Sequence, residues 1–147
     1  MCLSITALGQ SGTSVYQIGR MDLELSERIR KADSLIKNAE AVQHDSLMYY
    51  YQDYAFWLFD ERKVAEAAAN EQKAINEAKK DSESNGRFIQ ISGLSLGYYL
   101  AQTGRRKEAI KAYREVLLID ETGDLASRAH QQIGTNAIEL QDYYKGI

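Results

Sequence analysis

From Leu25 onward the apolar residues Ile29, Ala32, Leu35, Ile36, Ala39 and Val42 follow one another at steps of three and four. That spacing puts them on one face of a helix of about five turns. Gln43-His44-Asp45-Ser46 interrupts it, and Asp45 or Ser46 has the side chain to cap the next helix. The pattern then predicts helices from about Leu47 to Asp60, Lys63 to Lys80, Arg87 to Gln102, Arg106 to Ile119 and Leu125 to Leu140. Ser82 to Gly86, rich in serine, asparagine and glycine, reads as a loop. No segment alternates apolar and polar residues with the period of a strand, so the expected class is all-α.

The helices are not independent of one another. Leu96-Gly97, Leu100, Gly104, Glu108-Ala109, Tyr113 and Val116-Leu117 form one unit. Ile133-Gly134, Ala137, Gln141, Tyr143 and Gly146-Ile147 follow with a constant offset of 37 residues. A small residue at Gly97 or Gly134 is expected where the next helix crosses closely. Gly104 is expected to end its helix, since glycine accepts positive φ without steric cost. A weaker copy spans Tyr51 to Ala78, with Tyr54-Ala55, Leu58, Glu66-Ala67 and Ala74 at matching places. Its offset, from Ala55 to Gly97, is 42 residues, and Glu61-Arg62 stand where the turn glycine would be.

These residues resemble the tetratricopeptide repeat, a hairpin of two helices with a period of about 34 residues. The closing proline of that family is missing throughout, because the chain has no proline. The resemblance implies an all-α fold of helical hairpins stacked into a short right-handed α-solenoid. The units would be about 47–84, 87–122 and an incomplete 125–147, with a helix over 22–43 as N-terminal cap. The last copy stops at Ile147, just after another helix would start, which leaves its hairpin half built. Such an end implies a fragment of a longer protein, or an apolar face covered by self-association.

Composition narrows the function. The chain has 147 residues, enough for one domain, with a net charge of −3 that offers no general attraction to nucleic acid. No run of about 20 apolar residues exists, so no membrane insertion is expected. Cys2, His44 and His130 have no metal-ligand spacing, and no cofactor is expected. Residues 1–20 read as a disordered leader or the remnant of a secretion signal. Met1 to Gly9 is apolar and ends in a small-x-small pattern, and Ser11 to Ser14 suits a flexible linker. An export signal would place the protein outside the cytoplasm, in the periplasm of a bacterium; otherwise it is cytoplasmic.

The aromatic run Tyr49-Tyr50-Tyr51, Tyr54, Phe56-Trp57 and Phe59 cannot be buried by one helix face. Tyr51, Tyr54 and Leu58 are expected in the core. In the tetratricopeptide family the first helix of each unit lines a concave groove. Carried onto this chain, the groove set is Tyr49, Gln52, Phe56 and Phe59, then Leu94, Tyr98 and Gln102, then Arg128, Gln131 and Thr135. Chaperone-binding members hold a terminal carboxylate with lysine and asparagine, but the matching positions here carry Gln52, Phe56, Leu94 and Tyr98. An acidic terminus would go unpaired there. Arg105-Arg106-Lys107 reads as a solvated helix start, and no acid, base and nucleophile cluster in sequence. The resemblance therefore implies a non-catalytic module for a protein or peptide partner. The alternatives are the ligand-sensing or scaffold input region of a bacterial two-component or transcription-regulator protein, and a self-assembling structural subunit.

Overall fold

The computed structural model describes residues 13–145, so the Met1–Gly9 segment and Cys2 lie outside the described residues. Seven α-helices follow in order: α1 Val15–Gly19, α2 Leu25–Ala41, α3 Leu47–Asp60, α4 Val64–Ala78, α5 Ser82–Gln102, α6 Arg106–Ile119 and α7 Gly123–Lys145. Among the described residues there is no strand. From α3 onward each helix packs on the next, and α5 also touches α7. Side chains connect α3 to α5 as well: Tyr49 meets Phe88 edge-on at 5.3 Å, and Gln52 donates to the Ser92 hydroxyl at 2.9 Å. Lys79 reaches Glu115 at 3.4 Å and so links the end of α4 to α6. The arrangement is a helical repeat-like stack of hairpins.

Two hairpins, α3–α4 and α5–α6, turn in the same way. After α3, the Arg62 amide donates to Phe59 O at 2.9 Å and the Lys63 amide to Leu58 O at 2.8 Å. After α5, the Gly104 amide donates to Ala101 O at 3.0 Å and the Arg105 amide to Leu100 O at 2.9 Å. Both turns pass through the left-handed region, at Arg62 with φ 65° and at Gly104 with φ 79°. These crossed bonds satisfy carbonyls that a helix end would otherwise leave without partners. Glu61-Arg62 thus occupy a full turn without a glycine, at a steric cost glycine avoids.

The loop expected at Ser82–Gly86 is helix. α4 passes through one 3₁₀ turn, Lys79–Asp81, straight into α5. Asp81 caps α5 by accepting from the Ser84 amide at 3.2 Å, and Asn85 donates back to Ala78 O at 3.1 Å. Serine and asparagine here serve as caps, which is the other use of the residues that favour loops. The surplus length of the 42-residue offset lies in this extension of α5, since Ile89 is the counterpart of Leu47, the first residue of α3.

Two further expectations change, and the exposed start of α6 gains partners. Val15–Gly19, inside the expected leader, is a short helix held by a capping box between Ser14 and Gln17, with Val15 and Ile18 buried. The break before α3 is closed by His44, whose Nδ1 accepts from the Ser46 amide at 3.1 Å, and not by a side chain of Asp45 or Ser46 capping α3. The Arg105–Lys107 start of α6 is tied down: Arg105 pairs with Glu108, and Arg106 reaches across to Glu139 and Asn136 of α7.

The core lies between the helices of each hairpin. Tyr51, Tyr54 and Leu58 are buried as expected. The two tyrosines keep their hydroxyls in use, donating to Glu40 at 2.5 Å and Asp33 at 3.0 Å, which fastens α2 to α3. Gly97 lets α6 approach so closely that an added methyl would come within 2.3 Å of the Tyr113 ring. At Gly93 a methyl would come within 2.6 Å of Val116 Cγ2. Gly134 behaves differently, for among the described residues nothing beyond its own helix backbone and chain neighbours lies within 4 Å of its missing Cβ. α7 packs through Leu125, Ala126, Ala129 and Asn136, and Gly134 is on a face that no described helix covers. α7 also continues unbroken past Gln141, where the 37-residue copy placed a turn. The 37-residue copy therefore does not extend to the turn.

Candidate functional site

A cleft of about 430 Å³ opens where α1 lies against the stack. α1 contributes Val15, Tyr16 and Gly19, with Arg20 just beyond its end. One face of α3 supplies Gln52, Asp53, Phe56, Trp57 and Asp60, residues at helical spacing that no single neighbour buries. α5 adds Ile91, Ser95 and Tyr99 from the far wall, and α4 adds one residue, Glu71.

Glu71 is only 1 % exposed. Among the described residues its Oε1 has no hydrogen-bond partner. Burial in an apolar wall favours the neutral acid and pushes its pKa up to about 8. A hydrogen bond from the Ser92 hydroxyl works against that rise, and the charge of Asp53 adds to it. Asp53 is itself pushed upward by burial. The Trp57 indole N–H, also buried, has no acceptor among the described residues. Its ring lies 5.4 Å from that of Tyr54, and the Arg28 guanidinium sits 5.8 Å from it on the side of α2. Arg20, the cation beside the cleft, is held by its own neighbour, donating to the Tyr16 hydroxyl at 2.8 Å and lying over that ring.

Of the residues expected to line a groove, Gln52 and Phe56 line this cleft. Gln52 is partly committed to Ser92, so it serves to tie α3 to α5 as well. Phe59 stacks on Tyr99 at 4.9 Å and is touched edge-on by Tyr98 at 5.5 Å, which leaves Phe59 half-buried beside the cleft and Tyr98 exposed. Leu94 packs against the core, and Tyr49 rests on Phe88. Gln102, Arg128, Gln131 and Thr135 are exposed, and none of them reaches the cleft. Thr135 donates to Gln131 O within its own helix.

The sequence reading missed Glu71, Asp53, Trp57 and Tyr99. A signal for Glu71 was present: at the 42-residue offset it stands where the other hairpin has Tyr113, a buried ring. A carboxyl in a core position is a polar group that needs a reason. Chemically, the site offers aromatic faces, an orphan acceptor and carboxyls. Among the described residues no three His, Cys, Asp or Glu side chains are grouped to hold a metal ion. No described helix is long and apolar enough to cross a membrane.

Comparison with protein-family models gives no match, and neither the curated proteins nor the solved structures yield one.

Proposed function

We propose that this chain is a non-catalytic recognition module of the tetratricopeptide type, with α3–α4 and α5–α6 as stacked units of a short right-handed solenoid. A protein or peptide partner lies across the face shared by α3 and α5. One observation carries the reading. Tyr49 and Phe56 on α3, and Ile91 and Tyr98 on α5, are 50, 66, 41 and 46 % exposed. They are spaced by seven within each helix and by 42 between helices, so they are the same two positions of two successive units. Large apolar side chains kept out of the core at repeat-equivalent sites make a continuous surface for a partner. An extended peptide or a helix laid along the face suits that geometry.

The test uses random-sequence peptides displayed on phage and selected on the immobilised protein, followed by calorimetric titration of the peptides recovered. Phe56→Ala and Tyr98→Ala should each weaken binding by about 1–3 kcal/mol while far-ultraviolet circular dichroism stays unchanged. Recovery of no binder, or of binders that ignore both substitutions, rejects the face.

A further inference from the structure

We propose that the cleft floored by Glu71 binds an organic ammonium group, either the side chain of a lysine or a free alkylamine. The cleft supports this by its donor set. Glu71 is one of the residues lining the cleft, and its buried Oε1 has no hydrogen-bond partner among the described residues. Buried polar atoms are almost always paired, so an orphan of this kind in a cavity wall marks the place of a ligand donor. Around it stand the rings of Phe56, Trp57 and Tyr99. Aromatic faces with carboxyl groups form the environment that attracts an alkylammonium, the rings through their quadrupole and the carboxyl through charge and hydrogen bonding.

Acidic groups outnumber basic ones among the residues lining the cleft. Asp53 and Asp60 come from α3 and Glu71 from α4, while α5 brings only the neutral Tyr99 and Ser95. Arg20 is the opposing group, and its guanidinium is engaged by Tyr16 at the α1 side. An anion would meet the carboxyls of Asp53 and Asp60, and the Arg20 guanidinium already donates to the Tyr16 hydroxyl. A cation meets a buried carboxyl that becomes an acceptor on losing its proton, beside an aromatic wall.

Ligand binding also has a proton signature. In the empty cleft Glu71 holds its proton at neutral pH, because burial disfavours the carboxylate. An ammonium beside it favours the charged form, so binding expels that proton to solvent. The ammonium arrives charged and the complex contains carboxylate and ammonium; one proton leaves, and no bond other than O–H is broken.

Trp57 is the only tryptophan of the chain, so its fluorescence reports the cleft directly. The full chain is titrated at pH 7 with n-butylamine, with n-butanol as the neutral isostere and with butyrate as the anion. The expected result is saturable quenching or shift by butylamine, none by butanol or butyrate over the same range, and at least tenfold weaker binding in Glu71→Gln. Calorimetry in two buffers of different protonation enthalpy should show proton release on binding to the native chain and none in Glu71→Gln. Phe56→Ala, at an exposed position, weakens butylamine without unfolding the protein. Nα-acetyl-lysine methylamide and 1,5-diaminopentane separate the sources. If the first binds at least as well as butylamine, the ligand is a protein lysine; if only the second binds, it is a free amine. Equal response to butanol, unchanged binding in Glu71→Gln, or no saturation with any amine overturns the assignment. The assignment needs the cleft alone, so failure of every displayed peptide leaves it standing, and failure of the amines leaves the exposed face unaffected.

Discussion

The hairpins α3–α4 and α5–α6 are built on one plan and filled differently. Their turns share hydrogen bonds and the same left-handed residue, 42 positions apart. Their interiors exchange bulk at one of two paired positions. α5 is thinned by Gly93 and Gly97, and α6 answers with Val116 and Tyr113. α3 carries Tyr51 and Ala55 at those two places, and α4 answers with Ala74 and Glu71. At the second of these pairs, Gly97 with Tyr113 against Ala55 with Glu71, the small residue is in the first helix and the large one in the second in both hairpins. The lesson is in the one place where the pairing is not between apolar groups. Tyr113 closes its hairpin, whereas Glu71 fills the equivalent position and gives its cavity wall a polar atom without a partner.

The closed hairpin is the more sensitive to truncation. Tyr113→Ala removes a ring that is 1 % exposed and seated on Gly97, and should cost about 3–5 kcal/mol. Gly97→Ala forces a methyl into the same ring and should cost about 1–3 kcal/mol by overpacking. Urea unfolding followed by circular dichroism measures both. If either substitution is neutral, the helices are not in close contact there.

Position 71 should instead show itself through pH. Glu71 has a folded pKa of about 8 against an ordinary 4.5, so the folded state binds the extra proton between those values. Stability therefore falls as pH rises from about 4.5 to about 8, because the unfolded chain releases the proton more readily. Glu71→Gln removes that penalty. It should leave stability nearly unchanged at pH 4 and raise it by up to about 4 kcal/mol at pH 8.5. Tyr113, pushed up to about 12 by burial, is silent over this range. Parallel pH curves for the native chain and Glu71→Gln would show that the carboxyl is not buried.

The turns provide a smaller contrast. Arg62→Gly relieves a left-handed residue with a side chain and should stabilise by about 0.5–1 kcal/mol. Gly104→Ala imposes the same strain on the other turn and should cost about 1 kcal/mol. Opposite signs at equivalent positions are the result to look for in thermal unfolding. The same sign at both would mean the two turns differ in backbone.

How far the sequence could be read follows from the same comparison. Helices α2, α3 and α6 were legible because their apolar stripes are continuous and their ends are marked. The 42-residue relation was visible, but its consequence for the turn was not, since Arg62 carries no sign of positive φ. Ser82–Gly86 misled because capping residues and loop residues are the same few types. Phe56 and Tyr98, carried into the groove set from the family's first-helix positions, are both exposed, whereas Leu94 of the same set packs against the core. The cleft was out of reach: it depends on α1 lying against α3, and no periodicity within α3 or α5 encodes that contact.

The smallest effect concerns the glycine that the register made equivalent to Gly97. Gly134 sits inside α7 with open space where its side chain would be. Alanine there meets nothing and restricts the unfolded chain, so Gly134→Ala should stabilise by about 0.5–1 kcal/mol. The substitution that is damaging at position 97 is thus helpful at 134, and the difference is the presence of Tyr113 over one and no described helix over the other. The sign also answers whether the exposed face of α7 is covered by a second copy of the chain. Were helices of another molecule packed there as α6 packs on Gly97, the alanine would destabilise, and more so at high protein concentration. Thermal unfolding of Gly134→Ala over a hundredfold concentration range reads both the sign and its dependence. A gain independent of concentration assigns the face to solvent.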